Sequence, residues 1–458
     1  MIGVYTIAHF FRVKPRFDDI ITHIPTIKIG GKMYPRRKPT LVLLMTLLVF
    51  SFLAIQPSPV TAAAELTFLV NSTEDLPDFA PGNGLCDAYE VAAGPCTLRA
   101  AIYEANLNIH YTNVTILVTP GVYTLTIPPE EGGYSPSNGD LDILTNSSTN
   151  LITIKSTGAP GDVVITTADD FHDRILTIGM ANVSISDIVF SESNLEIAPF
   201  QGGGGAIHNF GTLKLDRVKF TDNTVSCEPG LNCQGTEFGG AIVNQGELTV
   251  VNSSFIRNSA NKGSAIFNGG TVEIGNSTFT QNTTSTIESY SDISILNSTF
   301  SGGDIGIANN GQLFLRSNTF ANFAETIRND TDKHVYAANN IFTTQSSKNF
   351  TGSGGDWVSG GYNIFSDNSW PGTYETGDLP NTNPRLGLLG SYGGPTLTHP
   401  LLEGSPAIDH RPGYCSSGSG KLGRDQRHFP RNDGKCDTGS FEHSGNFFKM
   451  LFLPLIRR

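Results

Sequence analysis

Charged residues are scarce in this chain. Asp, Glu, Lys and Arg make up 16% of the 458 residues, and the chain has only 2 tryptophans and 5 methionines. Glycine is abundant, at 50 residues, well above its usual share of about 7%. This composition favours a turn-rich, all-β chain over a helical one.

Common catalytic signatures are also absent. The sequence contains no G-x-S-x-G, H-E-x-x-H, C-x-x-C or Walker loop, so the usual marks of hydrolases, metalloproteases, redox enzymes and nucleotide-binding proteins are missing. No histidine lies at zinc-finger spacing from a cysteine. We therefore predict no metal site from the cysteines.

Residues 1–64 have the features of an export signal with a doubtful N-terminal extension. Three basic residues at 36–38 precede an apolar run from Leu41 to Ile55, and small residues follow at 62–64. This run is shorter than the roughly 20 residues that span a bilayer. We expect translation to start at Met33 and cleavage to follow Ala64; an uncleaved anchor is the alternative.

The mature chain is acidic, with 22 Lys+Arg against 40 Asp+Glu and a formal charge of −18. Such a surface repels phosphate backbones, so nucleic acid is excluded as an expected partner. Export permits disulfides, and the six cysteines form three close pairs in sequence. Proximity favours, among 15 connectivities, the pairs Cys86–Cys96, Cys227–Cys233 and Cys415–Cys436.

A repeat of about 20 to 24 residues runs through the middle of the chain. It carries Gly-Gly-Ala-Ile, Asn and Gly positions, period-2 apolar alternation and a recurring phenylalanine, as at Phe255, Phe279, Phe300 and Phe320. Stacked coils at about 4.8 Å would place Phe over Phe. The repeat predicts an all-β fold, a right-handed parallel β-helix of the pectin-lyase-like kind, with roughly eleven coils between residues 112 and 365.

Two kinds of corner residue are expected within the repeat. Asn-Gly steps such as Asn268-Gly269 are predicted to need left-handed backbone. The recurring asparagines Asn252, Asn276, Asn297 and Asn318 are predicted to stack as hydrogen-bonded ladders rather than to form a binding stripe.

Residues 65–111 are predicted to form an N-terminal cap, because residues 96–106 carry a helical apolar stripe that could plug the first coil. This stretch, with Cys96-Thr-Leu-Arg-Ala-Ala, resembles the domain named for its Cys-Ser-Leu-Arg-Glu-Ala motif, from which it departs at Thr97 and Ala100.

Two further resemblances concern the repeat and the C-terminal region. Gly-Gly-Ala-Ile and Phe-x-x-Asn, as at 204–207 and 220–223, are similar to the repeats of polymorphic outer-membrane adhesins. Residues 366–443, with Gly404-Ser-Pro-Ala-Ile-Asp and Asp425-Gln-Arg-His-Phe-Pro, resemble the choice-of-anchor Q family. These resemblances imply a surface β-helix, followed at 444–458 by a sorting tail or a final strand.

Candidate functional residues lie where the repeat is interrupted. The segments from Ser191 to Gly203 and from Thr224 to Glu237 leave successive coils at the same corner and are predicted to bind the ligand. The only dense charged cluster holds Asp169, Asp170, Asp173 and Arg174, the weak candidates for catalysis. It is expected to be a solvated corner.

These features predict a secreted or cell-surface β-helix, monomeric, that binds extracellular polysaccharide or protein. The alternative is a polysaccharide lyase or glycoside hydrolase of the pectin-lyase-like fold, for which calcium is the cofactor to consider.

Overall fold

Each coil of the chain contributes strands to up to three columns that enclose one apolar core. The structure, a computed structural model, describes residues 65–90, 94–107, 111–129, 137–144, 150–198, 202–233, 235–346, 348–352, 354–413, 423–431 and 434–443. The expected signal, Cys415 and the tail at 444–458 lie outside the described residues. No helix among the described residues is long and apolar enough to cross a membrane.

The described residues form one helix, α1 (Leu98–Leu107), and 32 strands. In chain order the strands are β1 (Glu65–Val70), β2 (Asn113–Val118), β3 (Gly121–Leu125), β4 (Leu141–Ile143), β5 (Leu151–Ser156), β6 (Val163–Thr167), β7 (Leu176–Ile178), β8 (Asn182–Ser186), β9 (Ile188–Ser191), β10 (Asn194–Ile197), β11 (Ile207–Asn209), β12 (Thr212–Asp216), β13 (Lys219–Thr221), β14 (Thr224–Cys227), β15 (Ile242–Asn244), β16 (Glu247–Val251), β17 (Ser254–Ile256), β18 (Ile266–Asn268), β19 (Thr271–Gly275), β20 (Thr278–Thr280), β21 (Ser285–Ser289), β22 (Ile293–Leu296), β23 (Thr299–Asn309), β24 (Leu313–Arg316), β25 (Thr319–Asn329), β26 (Val335–Ala338), β27 (Ile341–Thr344), β28 (Phe350–Thr351), β29 (Trp357–Ser359), β30 (Ile364–Phe365), β31 (Arg411–Pro412) and β32 (Lys435–Cys436).

Strands β1 to β30 pair in parallel with the equivalent strands of neighbouring coils, whereas β31 and β32 pair antiparallel with each other. An eleven-stranded sheet runs β1-β2-β5-β8-β12-β16-β19-β22-β24-β26-β29. A seventeen-stranded sheet has two columns: the first is β4-β7-β11-β15-β18-β21-β23-β25-β28, and the second is β3-β6-β9-β13-β17-β20-β23-β25-β27-β30. The long strands β23 and β25 belong to both columns. The predicted parallel β-helix is confirmed.

The core is built from stacks of like residues. Neighbouring rings from Phe255 to Phe279 to Phe300 lie 4.6 and 4.5 Å apart, centroid to centroid, and all three side chains are fully buried. In the first column, Ile242 pairs with Ile266, which pairs with Ile287. Because a parallel register puts equivalent side chains directly above one another, the repeat in the sequence becomes a column in the core.

Asparagine ladders exist, but mostly at other positions than those predicted. Asn244 Nδ2 donates to Asn268 Oδ1 at 2.8 Å, and Asn258 Nδ2 donates to Asn282 Oδ1 at 3.0 Å. Asn318, which donates to Asn340 at 3.1 Å, is the one predicted position in a ladder. Asn252, Asn276 and Asn297 instead adopt left-handed backbone with φ of 53°, 52° and 46°, which asparagine tolerates better than most residues.

The Asn-Gly corners are not left-handed, so that prediction was wrong. At the corner Asn268-Gly269-Gly270 the second glycine lies close to the neighbouring coil: a Cβ on Gly270 would lie 2.0 Å from the carbonyl oxygen of Gly246. Glycine is required at this corner by the distance between coils.

The N-terminal segment contains the expected helix and, in addition, the first strand of the eleven-stranded sheet. In α1 the apolar stripe Leu98, Ala101, Ile102 and Ala105 is buried in the main core. The eleven-stranded sheet, however, begins with β1, upstream of the helix and of the expected boundary at 112, and β1 pairs with β2 along its full length.

The C-terminal region folds back along the coils. Gln426 is fully buried and its side chain bonds to Thr278 Oγ1 at 2.9 Å and Thr299 Oγ1 at 2.6 Å. Asp425 and Arg427 hold a turn together, through contacts of 2.6 and 2.9 Å. Most of the region therefore packs on the solenoid by hydrogen bonds and has little regular structure of its own.

Candidate functional site

One line of side chains points outward from the first column. Because alternate residues of a strand face opposite sides, the residue that follows the buried Leu, Ile or Phe of each strand points away from the core. We call this line the outer row. In register it runs Asp142, Thr177, His208, Val243, Phe267, Glu288, Ala308, Arg328 and Thr351.

The two predicted binding segments lie together beside the outer row. The strand that follows Ser191, β10, pairs in parallel with β14, which begins at Thr224. Leu195, Ile197, Val225 and Cys233 form a small apolar cluster of their own with Ala260. We call residues 192–198 and 224–237 the disulfide lobe, because the predicted Cys227–Cys233 bridge closes its second segment.

The ends of the two segments meet where they rejoin the coils. A Cβ on Gly203 would lie 1.7 Å from the carbonyl oxygen of Phe238, so only glycine fits there. On the next coil, Glu237 lies 3.4 Å from the side-chain amide of Asn261. Both predicted segments thus end next to the surface that carries Phe238.

An aromatic ridge leads from the lobe along this surface. The ring of Phe238 stacks on Phe267 at 4.4 Å, and Phe267 is followed by Tyr290 at 5.5 Å. The Lys262 ammonium lies 5.9 Å from the centroid of the Phe238 ring. Tyr290 ends the ridge with 49% of its surface exposed, so part of its ring is accessible to a ligand.

A polar cavity of about 320 Å³ opens next to Tyr290. Its charged lining residues are Lys262, Glu288, Arg328 and Asp330. The carboxylate of Glu288 accepts hydrogen bonds from Ser285 Oγ at 3.0 Å and Tyr290 OH at 3.2 Å, which fixes its position. Lys262 has no carboxylate within ion-pair distance among the described residues.

A buried acid cluster occupies the other end of the outer row. Asp140 accepts a hydrogen bond from Thr177 Oγ1 at 2.5 Å, and Asp173 accepts one from the Asp140 amide at 3.2 Å. Arg174 approaches His208 Nδ1 at 2.8 Å. Asp142, fully buried, has no hydrogen-bond donor for either side-chain oxygen within the described residues.

Burial shifts the pKa values of this cluster in both directions. Loss of solvation, together with the charges of the neighbouring aspartates, raises the pKa of Asp142 to about 8 and that of Asp140 to about 6. Burial, aided by the charge of Arg174, lowers the pKa of His208 to about 3. At neutral pH the histidine is therefore neutral, and Asp142 retains its proton to a large extent.

The four predicted catalytic residues fall into an exposed pair and a largely buried pair. Asp169 and Asp170 are exposed at the turn, as expected of a solvated corner. Asp173 and Arg174 have side chains only 17% and 15% exposed and belong to the buried cluster, so the solvated-corner expectation was wrong for this pair. Asp140, Asp142 and His208 could not be predicted from the sequence. They lie far from Asp173 along the chain, and no local pattern shows that the coils place them near it.

The described residues offer little for a metal ion. Their one set of three potential ligands within mutual reach is Cys227, Cys233 and Glu237. The disulfide occupies both sulfurs, so this set does not fit a metal. Cys86 is bonded to Cys96 as predicted. Cys436 is also disulfide-bonded, and its expected partner Cys415 lies outside the described residues.

No protein-family model matches this chain, and no curated protein is detectably similar to it in sequence. The resemblances to the Cys-Ser-Leu-Arg-Glu-Ala domain, the adhesin repeats and the choice-of-anchor Q region therefore stay predictions.

Proposed function

We propose that this chain is an exported protein, secreted or held at the cell surface, that binds extracellular carbohydrate through the outward face of the first column. It would act as an adhesin-like or scaffolding monomer without catalysis of its own. The observation that carries the proposal is the aromatic ridge Phe238–Phe267–Tyr290, which joins the disulfide lobe to the polar cavity.

Chemistry favours carbohydrate over protein as the ligand. Sugar rings offer C–H faces to aromatic rings and hydroxyl groups to carboxylates, amides and cations, and this surface presents all of these groups side by side. The surface is continuous over several coils, which suits an extended polymer.

The proposal is tested with a glycan array probed by the chain from residue 65 onward. We expect binding to a polysaccharide that is lost in the double variant Phe238→Ala, Phe267→Ala. The matched control is Phe314→Ala, Tyr336→Ala, a pair of outward aromatic residues 6.5 Å apart on the eleven-stranded sheet. Unchanged binding in the first double variant, or no binding to any glycan, would overturn the proposal.

A second candidate, polysaccharide lyase or glycoside hydrolase, is favoured by the buried acid cluster. Carboxylates with raised pKa values beside an arginine and a histidine are typical of catalytic sites. Asp140 and Asp142 are both buried, however, which keeps a substrate away from them. Binding is therefore the better-supported function.

The two candidates are separated by incubating the protein with pectic and other polysaccharides in the presence of calcium. If the chain only binds, no unsaturated or reducing ends appear. Product that is formed by the natural chain and lost in Asp173→Asn would establish catalysis.

A further inference from the structure

We infer that the polar cavity beside Tyr290 is a subsite for a neutral sugar residue of the bound polysaccharide, and that it discriminates against uronic acids. This inference rests on the proposed function, since it names the class of carbohydrate that the same face binds. The size of the cavity, the accessible aromatic ring and the balance of charge around it carry the argument.

The cavity has the dimensions of a small-ligand site. Its volume of about 320 Å³ lies at the lower end of the range of roughly 300–1,000 Å³ that small-molecule pockets occupy. It spans four successive coils, from the one that contributes Lys262 to the one that contributes Arg328, a length of about 14 Å at the usual strand spacing. One or two pyranose rings fill such a space.

Tyr290 provides the stacking surface. Its ring is tilted 42° from the Phe267 ring, so the two rings do not cover each other completely. The Tyr290 hydroxyl lies 3.2 Å from Glu288 Oε1, and this bond holds the ring over the cavity. Because Tyr290 donates its proton to Glu288, its oxygen is left to accept a hydrogen bond from a sugar hydroxyl.

The charged groups are arranged to bind hydroxyls. The Arg328 guanidinium is already bound to Glu325, through contacts of 2.5 and 3.3 Å. Lys262 is the remaining cation on the lining, while Glu288 and Asp330 contribute two carboxylates. A hydroxyl group can donate to these carboxylates and accept from Lys262, so a neutral sugar satisfies both kinds of charge.

An acidic sugar is disfavoured at the same place. Its carboxylate would gain one ammonium group, Lys262, and would be held close to Glu288 and Asp330. Like charges in one cavity repel, and the acidic chain from residue 65 onward adds to that repulsion at long range. The subsite therefore discriminates by charge as well as by shape.

The test compares neutral polysaccharides (a β-glucan, a mannan and a xylan without uronate branches) with polygalacturonate and alginate, by calorimetry on the chain from residue 65 onward. We expect at least one neutral polymer to bind and the two polyuronates to bind at least roughly tenfold more weakly. Tyr290→Ala should weaken the neutral ligand by roughly tenfold, the factor that one aromatic contact is worth. The control Phe314→Ala should leave binding unchanged.

The outcomes separate the inference from the proposed function. If a polyuronate binds as tightly as any neutral polymer, and Lys262→Ala abolishes that binding, the face binds carbohydrate but the charge preference is wrong. If a neutral polymer binds and Tyr290→Ala and Glu288→Gln both leave its affinity unchanged, the subsite lies elsewhere. If none of the polymers binds, the proposed function fails with it.

Discussion

Asp142 combines complete burial with two side-chain oxygens that have no hydrogen-bond donor among the described residues. A carboxylate in such surroundings would lose its hydration without compensation, so the group is held in its protonated form. The same environment keeps His208 neutral. The cluster thus accommodates three aspartates close together because they do not all carry charge at neutral pH.

This arrangement makes stability depend on pH. The pKa of Asp142 is about 8 in the folded chain and near its ordinary value of 3.8 when unfolded. Between these values the folded chain binds the extra proton, so raising the pH from 4 to 8 progressively favours unfolding. In Asp142→Asn this loss should disappear, which raises the free energy of unfolding at pH 8 by up to about 5 kcal/mol and changes it little at pH 4.

Urea denaturation at pH 4, 6 and 8 measures the effect, with Asp170→Asn as the control because Asp170 is exposed in the same segment. A variant at 142 whose stability falls with pH as steeply as the natural chain would contradict the assignment.

At the scale of elements, asparagine ladders hold the corners between columns. Asn258 accepts from the amide and the side chain of Asn223, at 3.2 and 2.9 Å, and donates to Asn282 and to the carbonyl oxygen of Phe220. Each amide therefore satisfies groups on the coils at either side. A break in the ladder leaves buried partners on both neighbours without a hydrogen bond.

We expect Asn258→Ala to lower the free energy of unfolding by about 2–4 kcal/mol, because several buried polar groups lose their partner. Asn261→Ala, an exposed asparagine three residues away, should change it by less than about 0.5 kcal/mol. Thermal and urea unfolding measure both variants. Equal effects in the two would show that the ladder does not stabilise the coil.

The sequence predicted the asparagine ladders better than it predicted the left-handed corners. The ladder at Asn258 follows the repeated Phe-x-x-Asn, so it lies in the sequence pattern. The left-handed corner at Asn252, Asn276 and Asn297 also recurs, yet Arg217 and Ser317 adopt the same conformation at equivalent positions. Residue type alone therefore did not separate ladder positions from left-handed ones, because asparagine suits both.

At the scale of the whole molecule, the C-terminal region packs against one side of the coils. Gln426 Nε2 donates to Thr278 Oγ1, Thr396 Oγ1 and the carbonyl oxygen of Leu397, at 2.9, 2.9 and 3.0 Å. Arg431, also buried, donates to Glu442 at 2.9 Å. The hydroxyl groups of outward threonines of the solenoid thus find hydrogen-bond partners in Gln426, more than a hundred positions later in the chain.

Gln426→Ala should therefore lower the free energy of unfolding by about 2–3 kcal/mol, since it leaves buried hydroxyl and carbonyl groups unpaired. It should also increase proteolytic cleavage within residues 385–443, because the region loses several of its contacts with the coils. Gln345→Ala, at an exposed glutamine, is the control. Unchanged stability and cleavage would mean that the region is held by other contacts.

The sequence by itself determined the solenoid, the Phe stacks and the place of the two inserted segments. A short repeat with period-2 alternation buries its apolar residues only when successive coils stack on one another. The sequence also indicated the pairs Cys86–Cys96 and Cys227–Cys233, since these residues are close along the chain. Only the tertiary structure decided which polar residues lie together: Asp140 and Asp173, or Lys262, Glu288 and Arg328, come from different coils. Their proximity depends on how many residues each coil contains, and insertions change that number without leaving a local signal.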